Sequence, residues 1–239
     1  MRVSREIYGV LVGTVTLLSL ALPYQLFLLV VALLSFLMAR ELESSLGVKD
    51  VSFASFFSLI AFSISPALGG VVVSLFSLAY GYRYWSLEVF LKAVFILFYS
   101  SFFPSYIVHL KSQDVKLLLA LVVAVWLNDV TAYYVGRKFG AHPLFPKISP
   151  NKSLEGFLSG YLLGTAALAI LIEGGLLERL LVAGLTILGA VSGDYFKSFI
   201  KRQVGIKDFS ELFGEHGGVV DRFDALVFCA PVFYLLVSG

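Results

Sequence analysis

Residues 51–82 read VSFASFFSLIAFSISPALGGVVVSLFSLAYGY. A membrane-spanning helix needs about 20 mostly apolar residues, so this run of about 32 residues is too long for one span. Pro66 and the pair Gly69-Gly70 that follows it are typical of a break between two helices. The stretch therefore predicts two short helices that meet near Pro66.

The composition of the whole chain places such helices in a membrane. Of its 239 residues, 59% are hydrophobic and 14% are charged, and the mean hydropathy is +0.90. Soluble domains carry about 25% charged residues, so a water-soluble enzyme is excluded. A disulfide-rich scaffold is also excluded, because the chain has one Cys. The net charge of +2 is too small to suggest a nucleic-acid partner.

Other apolar runs predict further spanning helices, and dividing 51–82 brings their number to nine, although hydropathy alone also permits eight. Because the runs are continuous rather than alternating, an outer-membrane barrel is disfavoured. We expect an all-α polytopic membrane protein with one transmembrane domain over 1–239. Residues 1–110 form its amino-terminal helices, and residues 115–238 form the helices and cytoplasmic loops that carry most of its polar motifs. The predicted segments are 7–22, 24–39, 51–82, 86–108, 115–136, 154–172, 176–200 and 219–238.

The distribution of Lys and Arg decides between eight and nine spans. With nine, fifteen of the 18 Lys and Arg residues fall on the side of the amino terminus, and only Lys111, Lys116 and Arg179 fall on the other. The positive-inside rule then places the amino terminus in the cytoplasm. Eight spans would scramble this pattern, so we expect nine. The loops on the cytoplasmic side are then 40–50, 83–92, 137–152 and 201–218.

Two carboxylates, Asp129 and Asp194, lie within apolar segments. A charge at the middle of a spanning helix costs about 2.5–3.5 kcal/mol, so such side chains normally face a polar cavity or a partner. The alternative is a structural ion pair near the membrane surface, with Lys197 and Lys201 extending toward water. Asp194 and these two lysines share one helix face with Ser198, at the spacing i, i+3, i+4 and i+7.

A further carboxylate pair, Asp221 and Asp224, opens the last apolar segment directly after Gly217-Gly218. Their spacing of three residues puts both on one helix face. The alternative interpretation is that they are ordinary partners of the helix dipole. With Asp129 and Asp194 they predict a Mg²⁺ site, because Mg²⁺ takes one or two carboxylates and keeps water and substrate phosphate oxygens as its other ligands.

A basic loop precedes the segment 154–172 and reads Lys147-Ile-Ser149-Pro150-Asn-Lys152-Ser153-Leu-Glu155-Gly156. The two lysines beside Ser149-Pro150 favour binding of a polyphosphate, whereas Ser153 is equally consistent with a helix N-cap. Lysines next to carboxylates suit phosphoryl-type transfer, which needs positioning and charge neutralisation rather than a covalent nucleophile. The sequence contains no P-loop, no dinucleotide-binding glycine motif and no nucleophile elbow.

The segment from Ser198 to Asp224 resembles the signature of the phosphatidate cytidylyltransferases, also called CDP-diacylglycerol synthases. Upstream, Asp129-Val-Thr-Ala132-Tyr133, the loop 147–156 and Gly193-Asp194 resemble motifs of the same family. The resemblance is specific over 126–224 and rests on general hydropathy before that. One departure is Gly214-Glu215, where many members have Pro-Gly before His-Gly-Gly. The signature residues here are Ser198, Lys201, Arg202, Lys207, Asp208, His216, Gly217, Gly218, Asp221, Arg222 and Asp224.

The resemblance implies that CTP and phosphatidic acid react to give CDP-diacylglycerol and pyrophosphate, in phospholipid biosynthesis. The second pKa of a phosphate monoester is about 6, so the lipid phosphate is largely dianionic at pH 7 and can attack without a general base. The resemblance further implies Mg²⁺ together with a monovalent cation such as K⁺, and a homodimer in the bilayer. The active site is then expected to face the cytoplasm from the cell's inner membrane.

The expected roles follow the motif positions. The catalytic residues would be Asp194, Asp221, Lys201 and Arg202, and the metal ligands Asp194, Asp221, Asp224 and Asp129. The substrate-binding residues would be Lys147, Ser149, Lys152, Ser153, Ser198, Lys207, Asp208, His216, Gly217, Gly218 and Arg222.

Two alternatives stay open. A related membrane CTP transferase acting on another lipid phosphate or a polyprenol would keep the nucleotide-binding loops and change the lipid groove. A transporter could use intramembrane acids as a pathway, but transporters commonly carry inverted repeats and none is visible here.

Overall fold

The computed structural model describes residues 5–213 and 217–238, with side chains from residue 12 onward. Helices make up most of this part of the chain, and two short strands lie between the seventh and eighth helices. The helices are α1 Arg5–Leu20, α2 Tyr24–Leu46, α3 Ser52–Ile64, α4 Pro66–Tyr84, α5 Leu87–Leu97, α6 Phe103–Gln113, α7 Val115–Phe139, α8 Leu154–Leu171, α9 Leu176–Gln203 and α10 Val219–Ser238. A π-helical turn, Phe98–Phe102, joins α5 to α6, and the strands are β1 Pro143–Phe145 and β2 Ser149–Ser153.

The predicted break near Pro66 is confirmed, since Ser65 separates α3 from α4 in an extended conformation. The Ser65 hydroxyl accepts a hydrogen bond from the backbone N–H of Leu68 at 3.1 Å, which makes Ser65 the N-cap of α4. Pro66 takes the first helical position, where its missing N–H costs nothing. A Cβ atom at Gly69 would overlap the ring of Phe62, so this glycine lets α3 and α4 approach closely.

The prediction of an all-α, multi-pass membrane protein is confirmed. Within the described residues, five helical segments are long and apolar enough to cross a membrane. α3 is also apolar but has only 13 residues. The five segments are Tyr24–Leu46, Leu87–Gln113, Val115–Phe139, Leu154–Leu171 and Leu176–Gln203.

A small antiparallel ribbon, β1 with β2, begins in the predicted loop 137–152 and is the one sheet among the residues that the structure describes. Pro143 pairs with Ser153 and Phe145 pairs with Ser149, with an irregularity in register between them. The polar, proline-containing sequence of β2 lacks the alternation of apolar and polar residues that identifies a strand, so the hydropathy pattern did not predict this strand.

The chain divides into two compact units. The first contains residues 1–112 and 204–223, and the second contains 113–203 and 224–239. The segment 204–223, grouped above with the carboxyl-terminal helices, belongs to the first unit.

In the first unit, α2, α3 and the π-helical turn pack through small polar side chains. The Ser101 hydroxyl donates to the backbone oxygen of Ser55 at 3.0 Å, and it lies 3.4 Å from the hydroxyl of Ser35. All three serines are fully buried. Small residues with satisfied hydroxyls are typical of closely packed helices in membranes.

In the second unit, α7 and α8 pack along a stripe of glycines. A Cβ atom at Gly156 would lie 2.7 Å from the backbone oxygen of Ala132, and one at Gly160 would lie 2.6 Å from that of Asn128. Gly193 plays the same part on α9, because its Cβ would lie 2.7 Å from the backbone oxygen of Asp224 on α10. Close backbone approach at these glycines brings the polar residues of the four helices together.

Candidate active site

A cavity of about 590 Å³ lies in the second unit, with walls from α7, β2, α8 and α9. It collects predicted site residues from all three polar motifs of this unit. Its polar lining also contains Asn128, Arg137 and Tyr195, which were not among the predicted site residues. The predicted residues in its wall are Asp129, Ser149, Lys152, Ser153 and Asp194.

Asp194 on α9 is held between two lysines. Its Oδ2 accepts a short hydrogen bond from Nζ of Lys152, and its Oδ1 lies 3.2 Å from Nζ of Lys197. The Lys197 ammonium also lies 2.8 Å from Oδ2 of Asp224 on α10. A continuous row of alternating charges therefore runs from the cavity wall into the packed interior of the second unit.

Asp129 on α7 is exposed and lines the same cavity. Nδ2 of the neighbouring Asn128 donates to its Oδ1 at 2.9 Å, which fixes the orientation of the carboxylate. Oδ1 of Asn128 is buried and accepts no hydrogen bond from the described residues. Since buried acceptors normally have a donor, this amide favours a water molecule or a ligand group at the base of the cavity.

Lys152 is positioned by an aromatic ring as well as by Asp194. Its ammonium lies 4.4 Å from the centre of the Tyr195 ring, and the Tyr195 and Phe145 rings pack edge to face with 5.0 Å between their centres. A cation over an aromatic face is stabilised by the ring quadrupole. The lysine head group is thus held at the cavity wall.

The ribbon that carries Lys152 is anchored at both ends. Oε2 of Glu155 accepts hydrogen bonds from the backbone N–H groups of Ala141 and His142 at 3.1 and 3.3 Å. At the ribbon turn, Nε of Arg202 donates to the backbone oxygen of Ile148 at 3.2 Å. Glu155 therefore ties the motif loop to α8, and Arg202 ties it to α9, so the loop is not a free solvated turn.

Two serines of the predicted site have structural partners. The Ser153 hydroxyl accepts from the backbone N–H of Gly156 at 3.2 Å, so the N-cap interpretation is correct, and the residue lines the cavity as well. The Ser198 hydroxyl donates to the backbone oxygen of Asp194 at 2.8 Å, one turn back on its own helix. Lys147 is exposed in the turn between β1 and β2, and Lys201 is buried on α9.

The remaining predicted residues belong to the first unit. Asp221 is buried, and its Oδ2 accepts from the backbone N–H groups of Phe209 and Gly218, both at 3.1 Å. The bond from Gly218 is the interaction that an acid at the third helical position makes with the N–H of the N-cap residue. Gly217 and Gly218 are buried, whereas Lys207, Asp208 and Arg222 are exposed. His216 lies outside the described residues.

The chemistry of the donors in the second unit fits a hard divalent cation. Asp129 and Asp194 present carboxylate oxygens to one cavity, beside a lysine that can neutralise phosphate. Among residues 5–213 and 217–238, no three or more His, Cys, Asp and Glu side chains form a group that could hold a metal ion by themselves. Mg²⁺ commonly takes one or two protein carboxylates and completes its shell with water and phosphate oxygens, so these residues suit a metal bound jointly with a polyphosphate.

Lys197 is the main residue of this cluster that was left out of the predicted site, although the sequence placed it on the helix face of Asp194 and allowed an ion pair there. Its side chain is 11% exposed and joins two predicted metal ligands. The available signal was its position three residues after Asp194, on the same helix face.

Comparisons with known proteins show the family of the chain. The model of the Cytidylyltransferase family matches residues 3–238. The chain is 48% identical over 236 residues to a phosphatidate cytidylyltransferase of Aquifex aeolicus (strain VF5), covering 99% of this chain and 91% of that protein. It is 42% identical over 127 residues to one of Pseudomonas aeruginosa (51% and 47% of the two chains), and 35% identical over 137 residues to one of Staphylococcus saprophyticus (55% and 53%). The chain therefore belongs to the cytidylyltransferase family.

Proposed function

We propose that this protein transfers the cytidylyl group of CTP to phosphatidic acid and releases pyrophosphate. The observation that carries the proposal is the contact between Lys152 of the basic loop and Asp194 of the Gly193-Asp194 motif. Both side chains lie in the wall of one cavity. The 48% identity to a protein named phosphatidate cytidylyltransferase, over almost the whole chain, supports the same substrates.

In the proposed reaction, an oxygen of the lipid phosphate forms a bond to the α-phosphorus of CTP. The bond from that phosphorus to the oxygen that bridges it to the β-phosphate breaks, and the electron pair leaves with pyrophosphate. The lipid phosphate is largely dianionic at pH 7, so no side chain needs to remove a proton from it. The product is CDP-diacylglycerol.

The side chains of the cavity would position these phosphates. Lys152 and Arg137 would bind phosphate oxygens, and Asp129 and Asp194 would hold Mg²⁺. Bound there, Mg²⁺ would neutralise phosphate charge and stabilise the leaving pyrophosphate. Asp221 and Asp224 stay predictions as further ligands, and a monovalent cation such as K⁺ stays a prediction as a second ion. Lys201, Arg202, Lys207 and Arg222 stay predictions as phosphate contacts.

We also propose nine transmembrane spans with the amino terminus and the active site on the cytoplasmic side of the inner membrane. The support is the location of fifteen of the 18 Lys and Arg residues on one side of a nine-span arrangement. CTP is a cytoplasmic nucleotide, so its site has to open on that side. A homodimer stays a prediction from the family resemblance.

The test is pyrophosphate release by the purified full-length protein in mixed micelles. Phosphatidic acid, CTP and Mg²⁺ together should give pyrophosphate and CDP-diacylglycerol in equal amounts, and omission of any one should abolish both. A polyprenol and a diether lipid phosphate serve as competing acceptors. Turnover with one of these but not with phosphatidic acid would show that the lipid substrate is a different one from that proposed. Absence of turnover with every acceptor would overturn the proposed reaction.

A further inference from the structure

Glu41 of α2 is a buried carboxylate whose hydrogen-bond partners, among the residues that the structure describes, lie in the segment 204–223 of the first unit. Its side chain accepts from the backbone N–H of Val219 at Oε1 and from that of Val220 at Oε2, both at 2.8 Å. Oε1 also accepts from the Ser210 hydroxyl at 2.6 Å. The residue is 7% exposed. Both carboxylate oxygens are thus committed to one end of α10 and the loop before it.

The first N–H groups of α10 need a partner from outside the helix. The leading N–H groups of any helix have no intrahelical acceptor, and a Ser, Thr, Asp or Asn side chain at the N-cap usually supplies one. Here the preceding residue is Gly218, which has no side chain. Glu41 supplies the acceptor from α2, and its negative charge lies at the positive end of the helix dipole.

Gly218 and Glu41 also fit each other sterically. A Cβ atom at Gly218 would overlap the Glu41 carboxylate. The carboxylate therefore occupies the space that a side chain at position 218 would fill. This explains physically why a glycine stands at position 218, because only glycine leaves room for the carboxylate that caps α10.

We propose that Glu41 is a positioning residue for the reaction, acting through Asp221. It holds the first turn of α10, and Asp221 in that turn closes the loop by accepting from the N–H groups of Phe209 and Gly218. The inference rests on the proposed cytidylyl transfer and on Asp221 as a metal ligand. It assigns to the amino-terminal half of the chain a direct part in shaping the motif segment.

The test compares Glu41→Gln with Glu43→Gln in the full-length protein. A glutamine at 41 must place its NH₂ group against the N–H of Val219 or Val220, so one of the two hydrogen bonds is lost. Glu43 is the matched control, because its Oε2 accepts from the backbone N–H of Ser52 at 2.8 Å, at the start of α3. Both variants should lose thermal stability, but only Glu41→Gln should disturb α10.

The readouts are kcat, the KM for phosphatidic acid, the Mg²⁺ concentration that gives half-maximal rate, and the affinity of the substrate-free protein for Mg²⁺, measured by calorimetry. For Glu41→Gln we expect kcat to fall by about tenfold or more and the half-maximal Mg²⁺ concentration to rise by a similar factor. A change of this size corresponds to the loss of about one charge-assisted hydrogen bond. The KM for phosphatidic acid should stay within about twofold of the wild-type value. Glu41→Asp keeps the charge and should fall between wild type and Glu41→Gln.

Equal Mg²⁺ dependence of folded Glu41→Gln and Glu43→Gln would overturn the role of Glu41. If Glu41→Gln does not fold, Glu41→Asp decides, because a wild-type Mg²⁺ dependence in that variant overturns the proposal and a raised requirement supports it. An inactive wild-type protein would instead overturn the proposed function, so the two failures are distinguishable.

Discussion

The ammonium of Lys197 lies 2.8 Å from Oδ2 of Asp224, and the two side chains are 11% and 6% exposed. The pair joins α9 to α10 beside the point where Gly193 lets the two helices approach. Removing one member of a buried ion pair leaves an uncompensated charge, which costs far more than losing a pair at the surface. Lys197 is therefore expected to govern both the packing of these helices and the electrostatic environment of Asp194.

We predict that Lys197→Met lowers the free energy of unfolding by about 3–5 kcal/mol, because Asp224 then loses the cation buried beside it. Denaturant titration of the purified protein in detergent measures the change. Lys92→Met is the matched control, since it breaks the exposed pair between Lys92 and Glu88 and should have little effect. Equal stability of the two variants would contradict a structural role for Lys197.

We predict that Asp194→Asn reduces turnover by at least about a hundredfold while the protein stays folded. Losing a carboxylate weakens the proposed Mg²⁺ site, whose stabilisation of charge is worth several kcal/mol, at about 1.4 kcal/mol per tenfold in rate. Pyrophosphate release measures turnover, and thermal unfolding checks the fold. Ser192→Ala, at an exposed position on the same helix, is the control and should keep wild-type activity. More than a tenth of wild-type activity in Asp194→Asn would remove Asp194 from the metal site.

Lys152→Gln is predicted to raise the KM for CTP by about tenfold or more. A hydrogen bond from an ammonium to phosphate contributes about 1.5–3 kcal/mol, and glutamine lacks the charge. Lys138→Gln changes an exposed lysine that does not line the cavity and should leave the KM unchanged. Initial rates over a range of CTP concentrations give both values. An unchanged KM in Lys152→Gln would show that this lysine does not bind the nucleotide.

The proposed topology predicts opposite labelling of two single-cysteine variants in intact cells. Asn151 lies in the ribbon and Gly175 in the turn between α8 and α9, and each would be replaced by Cys in a Cys229→Ala background. Gly175 is preferred to Gly174 because Gly174 has a φ of +129°, which strains any other residue. A membrane-impermeant thiol reagent should label position 175 and not position 151.

Labelling of position 151 from outside would show that the topology is the reverse of the proposed one, with the cavity on the side of the membrane away from CTP. Both variants should be labelled after the cells are opened, which controls for burial of either thiol. Catalytic activity of each variant checks that the substitutions leave the fold intact.

The local properties of the sequence were sufficient to predict an all-α membrane protein and to identify several of the charged residues that line its cavity. Hydropathy located the apolar segments because a helix in lipid must be apolar over its whole length. Pro66 and the glycines after it located a helix break, since proline lacks the N–H that a helix interior needs. Asp129, Lys152 and Asp194 were identified because charged residues in or beside apolar segments need a functional or structural reason.

Only the tertiary structure decided which of these residues meet. Glu41 caps α10 from 178 residues away, and nothing in the sequence around Glu41 indicates this partner. Lys197 joins Asp194 to Asp224 on another helix. The physical reason is that a helix face toward lipid and a helix face toward another helix are both apolar, so hydropathy does not reveal which helices are neighbours. Neighbours are decided by close approach at glycines such as Gly160 and Gly193, where the absence of a side chain lets one backbone contact another.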